Sequence, residues 1–224
     1  MPTSKPNEPV KSPNVFGHVL RSEAELRGVI AEPGALTLAR EIHSMDSHCR
    51  DLISRSPFVL AASSDSTGRC DVSPRGGDPG FVHVIDDRHL LLPEMAGNRW
   101  ADTMRNLFEN PQIGLLFLIP GWGEVLRING RAWIVNDRDV LAPCAVRGTV
   151  PQLGIGVEVE VAFMHCAKAN IRSGIWQPAK WPSLDGMPTL ASILHDHTGG
   201  GAGDRDQLTE QIKESYATRT FLAS

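Results

Sequence analysis

Three stretches of one run decide the fold: DVSPRGGDPG at positions 71–80, GNRWADTMRNLFENPQIGLLFLIPG at 97–121 and EVLRINGRA at 124–132. The first reads as the end of a strand running into a turn. The second opens on Gly97-Asn98-Arg99, which suits a helix start, and Asn110-Pro111 ends that helix. IGLLFLIP (113–120) is apolar on both faces, the mark of a central strand covered from two sides. In the third stretch Leu126, Ile128, Gly130 and Ala132 face one way, and Arg127, Asn129 and Arg131 the other. A helix N-terminus offers free N–H groups and a partial positive charge, so Gly97-Asn98-Arg99 suits an anionic group, with Arg75 as a second cationic fork. A plain N-cap with two solvated arginines fits the same pattern.

Outward from this run, FVLAASS (58–64) and RCDVS (69–73) form a hairpin around Asp65-Ser66-Thr67-Gly68. FVHVID (81–86) and HLLLPE (89–94) form another around Asp87-Arg88. GIGVEVEVAF (154–163) alternates, with Val157, Val159, Val161 and Phe163 opposite Glu158 and Glu160. Ser22 caps a short helix. A longer helix is expected from Leu36 to Ser54, because Leu38, Ile42, Met45, Cys49 and Leu52 make one stripe. The helix opening at Asn98 should carry Trp100, Met104, Leu107 and Phe108 inward. Short helices are expected from Asn136-Asp137 through Leu141, over 165–173 and near 206–216. Clustered strands are not a βαβ pattern, so the expected fold is mainly β with added helices, an antiparallel barrel. The expected divisions are an N-terminal arm with a short helix (1–35), the barrel (36–181) and a C-terminal extension with a Gly-rich linker (182–224).

The chain has 224 residues, 41% of them hydrophobic and 21% charged, enough to bury a sizeable core. A net charge of −4 argues against a nucleic-acid partner, and no apolar run approaches a membrane span. The opening MPTSKPNEPVKSPNVFG lacks the apolar region of a secretory signal, and Cys49, Cys70, Cys144 and Cys166 are far apart. Both features lead us to expect a cytoplasmic protein whose cysteines are small buried residues. His195-x-His197 has no evident third metal ligand and reads as loop histidines before the glycines at 199–203. Those glycines lack the Lys-Ser/Thr ending of a phosphate loop, and no G-x-S-x-G elbow is present.

The ordered set SPRGGDPG, GNRWADTMRNLFENPQIGLLFLIPG, GEVLRINGRA and HCAKANIRSGIW resembles the pyridoxamine 5′-phosphate oxidase-related flavoproteins, most closely a bacterial FMN-dependent branch. The similarity covers roughly Leu36 to Trp181. It implies a split β-barrel homodimer with FMN in two symmetric sites at the dimer interface, each built from both chains. By position, Ser73 and Arg75 match the strand and turn that pass the flavin, and Pro93 ends the strand beside its ring. Asn98 and Arg99 match the phosphate-binding helix start. Glu124, Val125 and Arg127 match the strand contributed by the other subunit. Lys168, Arg172 and Trp176 match the segment that covers the cofactor, with Trp181 as a further stacking or dimer-closing residue. Trp100 stands where the oxidase proper has a second phosphate-binding lysine. The Tyr, Arg and Ser set that holds pyridoxamine phosphate is not found, nor is a C-terminal Arg-x-His. The expectation is therefore an FMN-dependent oxidoreductase acting on a small molecule. Alternatives are a flavin-, F420- or haem-binding protein without turnover, and an interaction module whose barrel dimerises.

Overall fold

The structure, a computed structural model, describes residues 14–95, 97 and 99–219. It divides into two compact units, Met1–Ala39 and Arg40–Ser224. The first holds a 3-10 turn at Asn14–Phe16 and two short helices, α1 (Glu23–Arg27) and α2 (Ala35–Leu38). Ser22 caps α1 as its sequence predicts: its hydroxyl accepts from the Glu25 N–H at 3.2 Å, while the Glu25 carboxylate accepts from the Arg21 N–H at 2.7 Å. No residue of α1 or α2 is buried.

The second unit is built on one antiparallel sheet. In chain order its strands are β1 (Glu41–Ile42), β2 (Phe58–Ser64), β3 (Cys70–Gly76), β4 (His83–Val84), β5 (His89–Pro93), β6 (Gln112–Leu118), β7 (Val125–Val135) and β8 (Gly154–His165). Helix α3 (Ser47–Arg55) precedes β2, α4 (Asp102–Glu109) joins β5 to β6, and α5 (Arg138–Leu141) follows β7. After β8 come α6 (Lys168–Ser173), α7 (Leu190–His197) and α8 (Arg205–Arg219). The strand order is β3-β2-β6-β7-β8-β5-β4, with β1 added to β8. Asp65 sets the β2–β3 turn by accepting from the Thr67 and Arg69 N–H groups at 2.8 and 3.0 Å. The sheet curls until its edge strand β3 comes beside the end of β5, where Arg75 pairs with Glu94. The product is a barrel split between β3 and β5. Alternate side chains of β2, β5, β6, β7 and β8 fill it, including Val59, Leu90, Leu115, Phe117, Leu126, Ile128 and Val157, with Met45 and Ile53 from the α3 side. Among the described residues no helix is long and apolar enough to cross a membrane.

The expected helix from Leu36 to Ser54 is not continuous. Ile42 lies in β1 opposite Ala162, the Met45 N–H donates to Asp87 O, and the Asp46 carboxylate starts a new helix by accepting from the Cys49 N–H at 2.8 Å. That amide bond holds the Asp46 carboxyl below its ordinary value. Cys49 and Ile53 are buried on one face of α3, Met45 is buried just ahead of the Asp46 cap, and Ile42 reaches the core from a strand.

The helix expected to open at Asn98-Arg99 begins instead at Asp102. Arg99 and Ala101 take left-handed backbone angles (φ 63° and 58°), which prevent a helical turn before that point. The later start changes which side chains face the sheet. Thr103, Met104, Asn106 and Leu107 are buried, whereas Trp100 and Phe108 are 67% and 80% exposed. Asn106 fastens α4 by donating to Ser63 Oγ at 2.9 Å and Asp71 Oδ2 at 2.7 Å.

Alternation in β7 follows expectation, but in β8 it breaks at a β-bulge. Asn129 pairs with Val161 and Gly130 with Val159, so Glu160 has no partner residue across the ladder. Beyond it the inward face passes from Val159 to Ala162, and Val161 and Phe163 turn to the other side. A Cβ on Gly130 would run into Glu158 O, so only glycine fits where the strands close up. His195 and His197 lie in the last turn of α7 rather than in a loop; His195 Nδ1 lies 3.0 Å from Gly203 O, and Arg205 pairs with Asp196 at 3.0 Å. All four cysteines are free thiols; Cys49 and Cys144 are buried, but Cys70 and Cys166 are exposed, unlike the uniform burial expected.

Candidate functional site

A cavity of about 900 Å³ opens at the split. One wall is β3, a second is the end of β5 with Glu94 and Met95, a third is the segment from Arg99 to Met104, and residues 149–153 close the fourth side. Its volume lies in the range of about 300–1,000 Å³ usual for small-molecule sites. Four sequence-predicted residues line it: Ser73, Arg75, Pro93 and Arg99. Asn98 lies outside the described residues.

Arg75 is the buried charge of this cavity. Its side chain is 14% exposed, its guanidinium pairs with Glu94, and its Nε is buried with no hydrogen-bond partner. A buried donor left unpaired costs free energy, so the fold holds this guanidinium in place at a cost. Arg99 is exposed and presents the second cationic group from a left-handed backbone. Phe81, Met95, Met104 and Val150 supply apolar wall. The position of the far wall is set by pairing: Pro93 sits opposite Gly154, and the Glu94 N–H donates to Leu153 O at 2.9 Å.

The other predicted residues gather elsewhere, around the start of β7 and α6, and none of them lines this cavity. Val125 is buried opposite His165, and Glu124 just precedes it, half-buried. Arg127 lies across from Phe163, with its guanidinium carbon 4.9 Å from the ring centroid. Arg127 Nε is buried and unpartnered, and so is Trp176 Nε1. Lys168 and Arg172 are exposed on α6, one turn apart. Asn170 ties that helix to the β7 approach by donating to Gly123 O at 2.6 Å. Trp181 donates from Nε1 to Ile175 O at 3.0 Å. His165 stands edge-on to Phe163 at 5.2 Å; burial, then the charge of Arg127, pulls its imidazole below the ordinary value.

Glu94, Met95, Thr103 and residues 149–153 belong to the cavity and were missed in the sequence. Glu94 directly follows Pro93 and is visible as a buried-strand terminus bearing a charge. Residues 149–153 carry no local signal, since only the β5–β8 pairing brings them there. Among the described residues no group of three or more His, Cys, Asp and Glu could hold a metal.

The family model for pyridoxamine 5′-phosphate oxidase matches residues 45–161, just over half of the chain. The chain belongs to this family. The match spans α3 through most of β8, and so includes β3, the end of β5 and α4, three of the four cavity walls. Solved structures similar to this family member include HupZ from Group A Streptococcus (20% identity, 52% of this chain and 90% of that one, TM-score 0.42). An FMN-binding protein from Syntrophomonas wolfei subsp. wolfei shares 10% identity over 51% and 86% of the two chains, TM-score 0.40. The haem storage protein HutZ from Vibrio cholerae shares 14% identity over 55% and 94%, TM-score 0.40. No curated protein matches the sequence.

Proposed function

We propose that this family member is an FMN-dependent oxidoreductase acting on a small molecule, with its cofactor in the cavity at the barrel split. The observation that carries the reading is Arg75, a guanidinium only 14% exposed that lines a cavity of cofactor size with a second arginine, Arg99, beside it. Arg75 and Arg99 would bind the anionic end, and the apolar walls at Phe81, Met95, Met104 and Val150 would take the ring and exclude water. Bound FMN would supply two-electron redox chemistry. Arg75 can also stabilise negative charge that develops on a group beside it, since its own position is fixed by β3 and Glu94. Glu94 occupies Arg75 in the chain alone and stands where an anionic ligand would.

Haem finds less support in these residues: among the described residues lining the cavity there is no His, Cys or Tyr to ligate an iron. The β7–α6 set fits the role of a covering surface delivered to the cavity of a second copy. The visible spectrum of the purified protein, with chromatography of whatever heat releases, tests the cofactor. Flavin bands and released FMN support the reading. A Soret band, released F420, or a colourless protein that ignores added FMN overturns it.

A further inference from the structure

A second cavity, of about 460 Å³, adjoins the first. The two share Gly76, Phe81 and Met95, so a single wall divides them. One side is the Gly76–Phe81 loop, and the other is the 143–147 segment. The loop is held by its own backbone: the Gly77 N–H donates to Pro57 O at 3.1 Å, Gly80 to Ser56 O at 3.3 Å and Phe81 to Asp78 O at 2.9 Å. A Cβ on Gly77 would come within 2.6 Å of the Phe81 side chain, and Gly80 has φ +83°. The hollow is therefore kept by glycines and fixed amides, and it exists before any ligand arrives.

Across it, Val146 and Thr149 exchange both backbone hydrogen bonds at 2.9 Å and close a two-residue turn, Arg147-Gly148. Both turn residues are left-handed, with φ 51° and 80°. That geometry favours Asn-Gly, and the Cβ of an arginine disfavours it. Among the described residues the left-handed non-glycines are Arg99, Ala101 and Arg147, and each lines one of the two cavities. Backbone conformations of this kind persist where the surroundings over-determine them, and they cluster at ligand clamps. Arg147 is the cation of the second cavity and Asp78 its anion; Phe81, Met95, Pro143 and Val146 are apolar.

We propose that the second cavity binds a small organic monocarboxylate, with its acid group on Arg147 and its apolar body against the Phe81–Met95 wall that the cofactor cavity shares. Asp78 opposes a second negative charge, which selects a monoanion over a polyphosphate. The proposal builds on the reading of the first cavity as the cofactor seat and names the class of its neighbouring reactant.

Benzoate and the isosteric neutral benzamide are the probes, titrated calorimetrically into protein with and without FMN. Benzoate should bind about tenfold or more tightly than benzamide, as a charge-assisted contact requires. Arg147→Asn suits the backbone of the turn, so the variant should fold while lowering benzoate affinity about tenfold. Arg147→Lys should retain part of that affinity, and neither variant should change FMN affinity. Equal binding of the two probes, benzoate binding to Arg147→Asn as to the wild type, or no binding at all overturns the proposal. Failure of FMN to bind, with benzoate still dependent on Arg147, overturns the cofactor reading and leaves this site standing.

Discussion

The split between β3 and β5 and the β7–α6 end both carry arginines, yet they are built differently. At the split, Ser73, Arg75, Pro93 and Arg99 converge on one cavity within a single chain. At the β7–α6 end, Glu124, Val125, Arg127, Lys168, Arg172 and Trp176 line neither of the two cavities, and two of their donors are buried without acceptors. The first is a concave half-site with its cationic groups in place. The second is a surface that carries the exposed cations Lys168 and Arg172 beside Arg127, whose guanidinium lies over the Phe163 ring. Charge alone therefore does not mark a site. What marks it is charge that the fold has desolvated beside a cavity.

Removing the convergent arginines should produce the largest effect. Arg75→Ala with Arg99→Ala is expected to weaken FMN binding about 100-fold or more, since each charge-assisted hydrogen bond contributes about 1.5–3 kcal/mol. A double variant that titrates like the wild type would remove the first half of the comparison. Arg127→Ala should cost less, about tenfold in FMN affinity, and should weaken self-association by light scattering in step. A wild-type protein that is monomeric at micromolar concentration would remove the second half.

Glu94→Gln sharpens the account of Arg75. If Glu94 is a placeholder for an anionic ligand, the variant loses up to about 1 kcal/mol of stability without ligand, a partly exposed pair being worth little. It then binds FMN several-fold more tightly in the same titration. Weaker FMN binding would instead make Glu94 a support that holds Arg75 in place.

The smallest expected effect is one of pH. The His165 imidazole lies below its ordinary value in the folded chain, so the unfolded chain binds the proton more readily. Stability from this group is full above the ordinary imidazole range, near pH 6.5, and is lost as pH falls through the lower folded value. Thermal melts should therefore show a modest acid-side loss that His165→Phe abolishes. The loss should appear even without cofactor, because the described lining of the split cavity has no histidine.

Much of the barrel was legible because its strands announce themselves locally. β2 is the FVLAASS run, β7 alternates along its first half, and the β2–β3 turn is set by Asp65. The unread parts depend on partners distant in sequence. Leu38, Ile42, Met45 and Cys49 keep helical spacing, but Ile42 is claimed by β8 and Asp46 caps a fresh helix. The cap was visible as an aspartate three residues before Cys49, and the periodicity masked it. Nothing in the sequence of Arg99 and Ala101 signals left-handed backbone, and it is this backbone that delays the helix and leaves Trp100 and Phe108 exposed. The β8 bulge cannot be read from GVEVEVAF alone, since it arises where Gly130 meets the partner strand. Within the candidate site, Arg75 and Arg99 were readable from their turns. Glu94 was legible as the charge next to Pro93, but residues 149–153 were not, because they come to the cavity through strand pairing.

The most direct test is a heterodimer in which one chain carries Arg75→Ala with Arg99→Ala and the other carries Arg127→Ala with Arg172→Ala, purified through two different tags. If each site joins the split of one chain to the β7–α6 end of the other, one site of the heterodimer carries all four substitutions and the other carries none. The heterodimer should then regain half of the wild-type FMN content with wild-type affinity, while both parent homodimers bind weakly. A heterodimer no better than its parents would contradict it.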